Sequence, residues 1–217
     1  MKWIAFAAFA FSLGCGPLVQ TNPVLGLAQT VAGGVSSEAE IESPGTGVLE
    51  TVNRAFIEAQ PNDLLLVSVI SREAVAVVMP GGNNGSKTTW FSPDGISVTF
   101  DRGVLVATRG LGQDLMGADA SRTLAAFGGG PNYLRTYDFL TGRDQIEQMS
   151  FTCSMNPDRS EAVTIYERTY QTTVFEEFCE SDEFLIRNVY WRGTDGTIWQ
   201  SRQWISGEIG YLGYQRL

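Results

Sequence analysis

The chain has 217 residues, with 15 Lys and Arg against 24 Asp and Glu, three cysteines and no histidine. The missing imidazole excludes Ser-His-Asp and Cys-His nucleophilic catalysis and any His-ligated zinc or haem. A formal charge of -9 argues against nucleic-acid binding, whose affinity rests on Lys and Arg meeting phosphates.

The chain opens with Met1-Lys2, runs through apolar residues from Trp3 to Leu13, and reaches Gly14-Cys15-Gly16. One positive charge ahead of a short apolar run is a secretory signal, too short to span a bilayer about 30 Å thick as a helix. Its end has the form of a lipobox, with Leu13 next to Gly14 and Ser12 where a leucine is commoner. This predicts a lipoprotein signal peptide over 1–14 and lipidation of Cys15. Each buried CH₂ contributes about 0.8 kcal/mol, so acyl chains on Cys15 would hold the protein to a membrane almost irreversibly. Gly16 is not the aspartate that commonly retains lipoproteins in the inner membrane. The expected location is therefore the periplasmic face of the outer membrane.

From Gly16 to about Gly47 the sequence mixes Pro, Gly, Ser, Thr and Glu with scattered aliphatics and keeps no period. It reads as a lipid-anchored flexible tether over 15–46, ahead of a single β-rich periplasmic domain over 47–217. Val48, Leu49, Val52, Ala55 and Phe56 recur at helical spacing, which predicts one short amphipathic helix over 47–58, ended by Pro61. Beyond it nearly every element reads as strand and turn. Runs rich in β-branched residues predict strands at 63–70 and 73–79, a break at 80–85, and a strand at 87–91. Ser92-Pro93-Asp94-Gly95 is a β-turn into 96–100, and Asp101-Arg102-Gly103 a tight hairpin connection into 104–108. Residues 117–130 form a glycine-rich crossing with a helical turn at 121–126. Further strands are predicted at 132–139, 145–153, 161–169, 172–179, 184–192, 197–205 and 209–215, with Asn156-Pro157-Asp158 as one separator. About eleven short strands and so few helices predict an all-β, mainly antiparallel fold. Its curled sheet would form a half-barrel, barrel or sandwich, with one short N-terminal helix.

Three strings stand out along the domain. The first is Trp90-Phe91-Ser92-Pro93-Asp94-Gly95. The second spans 104–116 and carries Thr108-Arg109-Gly110-Leu111-Gly112 and Asp114-Leu115-Met116. The third joins Asn188-Val189-Tyr190-Trp191 to Ile198-Trp199-Gln200-Ser201-Arg202-Gln203-Trp204-Ile205. In this order they resemble the YjbF family of lipoproteins, also called the group 4 capsule polysaccharide lipoproteins, over about residues 48–217. The resemblance implies a β-rich outer-membrane lipoprotein associated with exopolysaccharide or capsule export. It supplies no catalytic residues to carry over.

Two clusters are candidate contacts for a ligand or partner. Arg109 follows a strand and precedes a Gly-Leu-Gly turn, with Asp114 five residues on. It offers a fixed guanidinium for an anionic sugar or a carboxylate; the competing reading is a pair with Asp114 or with backbone that closes a turn. Tyr190, Trp191, Trp199 and Trp204 offer aromatic faces to sugar C–H surfaces, with Arg202 beside them and Asn188, Ser201 and Gln203 as hydrogen-bonding groups. Core packing competes with that role. In an unbroken strand Trp199, Ser201 and Gln203 share one face, and Ile198, Gln200, Arg202 and Trp204 the other.

The acidic run Glu176, Glu177, Glu180, Asp182 and Glu183 matches no EF-hand spacing and reads as a solvated hairpin end. Neither a metal site nor a cofactor is predicted. Cys153 and Cys179, left once Cys15 is assigned to lipid, are a candidate disulfide in an oxidising compartment. A strand at 161–169 would lie between them and hold their Cα atoms about 9–10 Å apart, beyond the ~7 Å that a bridge tolerates.

These features predict a non-catalytic accessory lipoprotein in export or assembly of an extracellular or capsular polysaccharide. Its partners would be the membrane, through the acyl anchor, and either export components or the polysaccharide itself, with no nucleic acid. The alternative is a periplasmic carrier or chaperone for lipid or lipoprotein. That role needs an open apolar cavity in the half-barrel, whereas a side-chain-filled interior favours docking. A two-carboxylate polysaccharide-cleaving enzyme ranks third, since no acid pair can be placed across a cleft.

Overall fold

Of this chain, the computed structural model describes residues 51–143 and 145–217. The predicted signal peptide, Cys15 and the tether lie outside the described residues, as do 47–50 of the predicted helix. Within them, helix α1 spans only Arg54–Glu58. Asn53 accounts for the difference. Its backbone is extended, and its side-chain oxygen accepts from the Phe56 N–H at 2.9 Å, so it caps a new helix rather than continuing one.

Twelve strands follow among the described residues. They are β1 (Leu65–Val69), β2 (Ala74–Asn84), β3 (Lys87–Phe91), β4 (Ser97–Asp101), β5 (Val104–Arg109) and β6 (Gly117–Ala118). After helix α2 (Ser121–Ala126) come β7 (Tyr133–Leu140), β8 (Ile146–Ile165), β9 (Arg168–Glu180), β10 (Leu185–Gly193), β11 (Ile198–Ser206) and β12 (Gly210–Arg216). Spatial order is β5-β4-β3-β2-β1-β12-β11-β10-β9-β8-β7-β6, antiparallel throughout. The fold is therefore an all-β antiparallel sheet, nearly closed into a barrel. Strand neighbours in space are neighbours in the chain, and β12 lies beside β1. There the Leu217 N–H donates to the Leu64 carbonyl at 3.0 Å.

Burial alternates along the strands, as at Tyr133, Arg135, Tyr137 and Phe139 of β7, which is the two-residue period of a sheet with one face inward. Leu105, Leu115, Tyr137, Phe151, Ile205 and Leu212 are almost wholly removed from water inside the ring. Side chains of this kind contribute about 1.5–3 kcal/mol each on full burial.

Two strands are longer than the sequence suggests. β2 runs on through 80–84, with its register slipping between Pro80 and Gly82. The slip leaves Gly81 as an extra residue, where a Cβ would collide with the Phe91 ring, so glycine permits the bulge. The predicted strands at 145–153 and 161–169 are one strand of 20 residues, β8. Asn156-Pro157-Asp158 is a bulge rather than a separator, with the register slip between Pro157 and Arg159. It lies past the last β7 pair, Tyr133↔Cys153, where a residue without an N–H leaves no ladder bond unmade. No strand then intervenes between the cysteines. Cys153 stands directly opposite Cys179 on β9, and the two form a disulfide with Cα atoms 4.0 Å apart.

Candidate functional site at the mouth of the barrel

The ring is drawn together between β5 and β6 by the loop that carries Arg109 and Asp114. The Thr108 N–H donates to the Leu115 carbonyl at 2.9 Å. The Arg109 guanidinium donates to the carbonyls of Thr108, Leu115 and Met116 at 2.5, 3.0 and 3.1 Å. Asp114 accepts from the Thr108 hydroxyl and from the N–H groups of Gly110 and Leu111. Both side chains are thus engaged with nearby backbone, and they do not bond each other.

Tyr190, Asn188, Ser201 and Gln203 point into the interior. Glu177, on β9, is fully buried there instead of standing in solvent at a hairpin end. Its oxygens accept from Arg135 (2.5 Å), Tyr133 (2.6 Å), Asn188 (2.7 Å), Tyr190 (2.8 Å) and Thr123 (3.0 Å). Burial pulls this carboxyl toward its neutral form. The Arg135 charge and the surrounding hydroxyl and amide donors outweigh burial and hold it below the usual carboxylate range. Burial and the Glu177 charge push the hydroxyls of Tyr133 and Tyr190 up, which keeps them protonated donors. Among the described residues Arg135 Nε and the Tyr137 hydroxyl find no hydrogen-bond partner of normal geometry, though the guanidinium lies over the Tyr137 ring at 4.8 Å.

Gln203 spans the interior. It accepts from the Leu105 N–H and donates to the Gly103 carbonyl and the Ser201 hydroxyl. The sulfurs of Cys153 and Cys179 lie close to Glu177, but they are spent in the disulfide and the carboxylate on Arg135, so the trio is not a free ligand set. This network braces opposite walls. It is sealed from substrate.

Strict alternation misplaces Trp199, because β11 is bulged there. Gln200 pairs with Trp191 and Ile198 with Arg192, which makes Trp199 the extra residue; a second slip follows Trp204. Trp204 is buried, edge-on to Tyr137, Phe139 and Phe151 with centroids 5.4–6.0 Å apart. Trp199 is half-buried and stacks on Tyr170 at 3.6 Å. Trp191 is half-buried and donates its indole N–H to Glu161 at 3.0 Å. Arg202 lies over the Tyr211 ring at 4.0 Å. The structure does not gather these residues into one site.

A different set converges at one end of the barrel. The β2–β3, β4–β5 and β10–β11 turns and the adjoining ends of β1 and β12 surround a half-open cleft of about 520 Å³. Arg102, Arg192 and Arg216 line it, with Asp195 as the single carboxylate in its wall. Arg102 pairs with Asp101 at 3.3 Å, and Arg216 pairs with Asp63. Arg192 has no ion pair or hydrogen bond among the described residues; its guanidinium stands 5.3 Å from the Phe127 ring centroid. Asp195 accepts from the Thr197 N–H and hydroxyl, both at 2.9 Å, which lowers its pKa. Trp90, Phe100 and Tyr214 supply apolar wall, and Ser86, Thr88 and Thr197 supply hydroxyls. Gly103 sits in the β4–β5 turn with φ at +91°. A Cβ there would fall 2.8 Å from the Tyr214 hydroxyl, so the turn closes tightly on β12.

Sequence reasoning missed this cleft. Its arginines are turn and strand-end residues far apart in the chain, and only the strand register brings them together.

Residues 47–217 match the family described as "Group 4 capsule polysaccharide lipoprotein gfcB, YjbF". The chain belongs to the YjbF family. Among solved structures, this YjbF-family chain is similar to the hypothetical lipoprotein YmcC from Escherichia coli (K12), with a TM-score of 0.67 and 18% sequence identity. That likeness covers 84% of this chain and 97% of the other, and it concerns the fold. No curated protein matches. The strings that carried the resemblance have structural duties in this YjbF-family chain. Residues 90–95 end β3 and turn the chain, 104–116 build β5 and the seam, and 188–205 form most of β10 and the bulged β11.

Proposed function

We propose that this chain is an outer-membrane-anchored lipoprotein serving as a non-catalytic accessory in export or assembly of an extracellular or capsular polysaccharide. The observation that carries this reading is the match of residues 47–217 to a family described as capsule polysaccharide lipoproteins. The lipobox at Cys15 supports the anchor. The filled interior supports docking over carriage, because a carrier of acyl chains needs an apolar void where Arg135, Glu177, Tyr137 and Phe151 sit.

The test is deletion of the gene, with surface polysaccharide measured for amount and chain length. Loss or shortening, restored by the wild-type chain but not by a Cys15→Ser version, is the expected result. Unchanged polysaccharide in the deletion strain overturns the reading.

A further inference from the structure

We infer that the cleft at the mouth of the barrel binds a carboxylated sugar unit, with Arg192 as its anion contact. The saccharide part of this inference rests on the function proposed above; the anion part rests on the cleft alone. The chain carries a formal charge of -9, yet three guanidinium groups line the cleft; Asp101 and Asp63 beside it neutralise two of them and leave Arg192. A guanidinium left without an ion pair there can attract an anion to one place on a molecule that repels anions elsewhere.

The three arginines are not equivalent. Arg102 and Arg216 already hold acidic partners, Asp101 and Asp63. Among the described residues Arg192 makes no ion pair: its charge reaches Asp195, but that carboxylate is bonded to Thr197, and the Phe127 ring lies 5.3 Å from the guanidinium. A planar guanidinium with free N–H groups is suited to bidentate binding of a carboxylate.

The remaining lining matches the rest of a sugar. Ser86, Thr88 and Thr197 can exchange hydrogen bonds with ring hydroxyls, and Trp90, Phe100 and Tyr214 offer apolar wall to C–H faces. The volume of about 520 Å³ lies within the range of small-ligand sites, and the cleft is half-open to solvent. Tight closure of the β4–β5 turn on β12, with Gly103 against Tyr214, gives the cleft a fixed wall.

The test uses the full mature protein in detergent and calorimetric titration at low salt with three probes: tetragalacturonate, maltotetraose and inorganic phosphate. Tetragalacturonate binding at least tenfold tighter than maltotetraose is expected. Arg192→Gln should weaken it at least tenfold, and Arg192→Lys should also weaken it, since the bidentate fork is lost. Arg159→Gln removes the same charge from an exposed site away from the cleft and should change affinity less than twofold. Each variant's thermal midpoint is measured, so that a folding defect is not mistaken for lost binding.

Equal binding of the neutral and acidic tetramers, or full affinity in Arg192→Gln, overturns the assignment. Phosphate binding as tightly as the uronate overturns its saccharide part. Complementation separates this inference from the functional one. A deletion strain with normal polysaccharide defeats the accessory role and leaves the titrations standing. A defective strain restored in full by Arg192→Gln defeats the cleft and leaves the role.

Discussion

Glu177 accepts from five side chains inside the ring, and only Arg135 among them carries charge. Removing one member of a buried pair leaves the other charge uncompensated, at a cost of about 3–5 kcal/mol. Glu177→Gln and Arg135→Met should each lower stability by about that much, read from urea midpoints, while the double change Arg135→Met with Glu177→Leu recovers much of the loss. The sign of the pH effect follows from the lowered native pKa. Below the ordinary glutamate value of 4.5, the unfolded chain binds protons that the native state refuses. The stabilisation is fully present above that pH and is lost as pH falls through the native pKa. Wild type should therefore lose stability between about pH 5 and pH 3 more steeply than Glu177→Gln; parallel acid limbs would contradict this. Glu177 was hidden in the sequence because it sits in an acidic run whose composition reads as solvent-facing. Only strand parity separates it from Glu176, which meets Arg187 outside. The clearer sign was Arg135, held between Tyr133 and Tyr137 at the inward spacing of β7.

At the scale of elements, the β8–β9 hairpin is the longest feature of the sheet, with strands of 20 and 13 residues. Its turn places Tyr166 and Glu167 at φ of 43° and 72°, a left-handed pair for which Asn-Gly is the favoured choice. The segment around α1 steadies that tip. Arg54 donates to the carbonyls of Ile165 and Tyr166, both at 2.7 Å, and Arg168 pairs with Glu58 at 2.7 Å. Toward the opposite end of the barrel, the Cys153–Cys179 bridge ties the same two strands. Replacing both cysteines by alanine should cost roughly 3–4 kcal/mol in the loop-closure account and leave the far-ultraviolet dichroism unchanged, because the ladder already sets these residues opposite each other. Identical urea midpoints for the wild type with and without reductant would mean that no bridge exists in solution.

Strand positions were largely legible from β-branched runs and turn residues. The two longest misreadings, at 80–85 and at Asn156-Pro157-Asp158, share one cause: glycine and proline serve bulges as readily as turns, and a local pattern does not tell them apart. The same limit misplaced Trp199: as the extra residue of a bulge it leaves the face of Ser201 and Gln203, and Ile198 takes the inward side instead.

For the molecule as a whole, closure depends on a short seam. Asp114 gathers the Thr108 hydroxyl and two N–H groups, and Arg109 caps three carbonyls across the same gap. Asp114→Ala should lower stability by about 1–3 kcal/mol and accelerate amide exchange at Thr108 and Leu115, which are otherwise protected at the seam. Unaltered exchange at Thr108 would show that the seam holds without this carboxylate. The sequence marked Arg109 and Asp114 as unusual, but no local pattern could show that the two edges they join belong to one ring. The wiring of that ring has a wider consequence. Because each strand touches the next in the chain and the last touches the first, a duplicated or deleted hairpin at any turn would change the girth without rethreading anything. Relatives of different circumference can thus descend from one plan by adding or dropping pairs of staves.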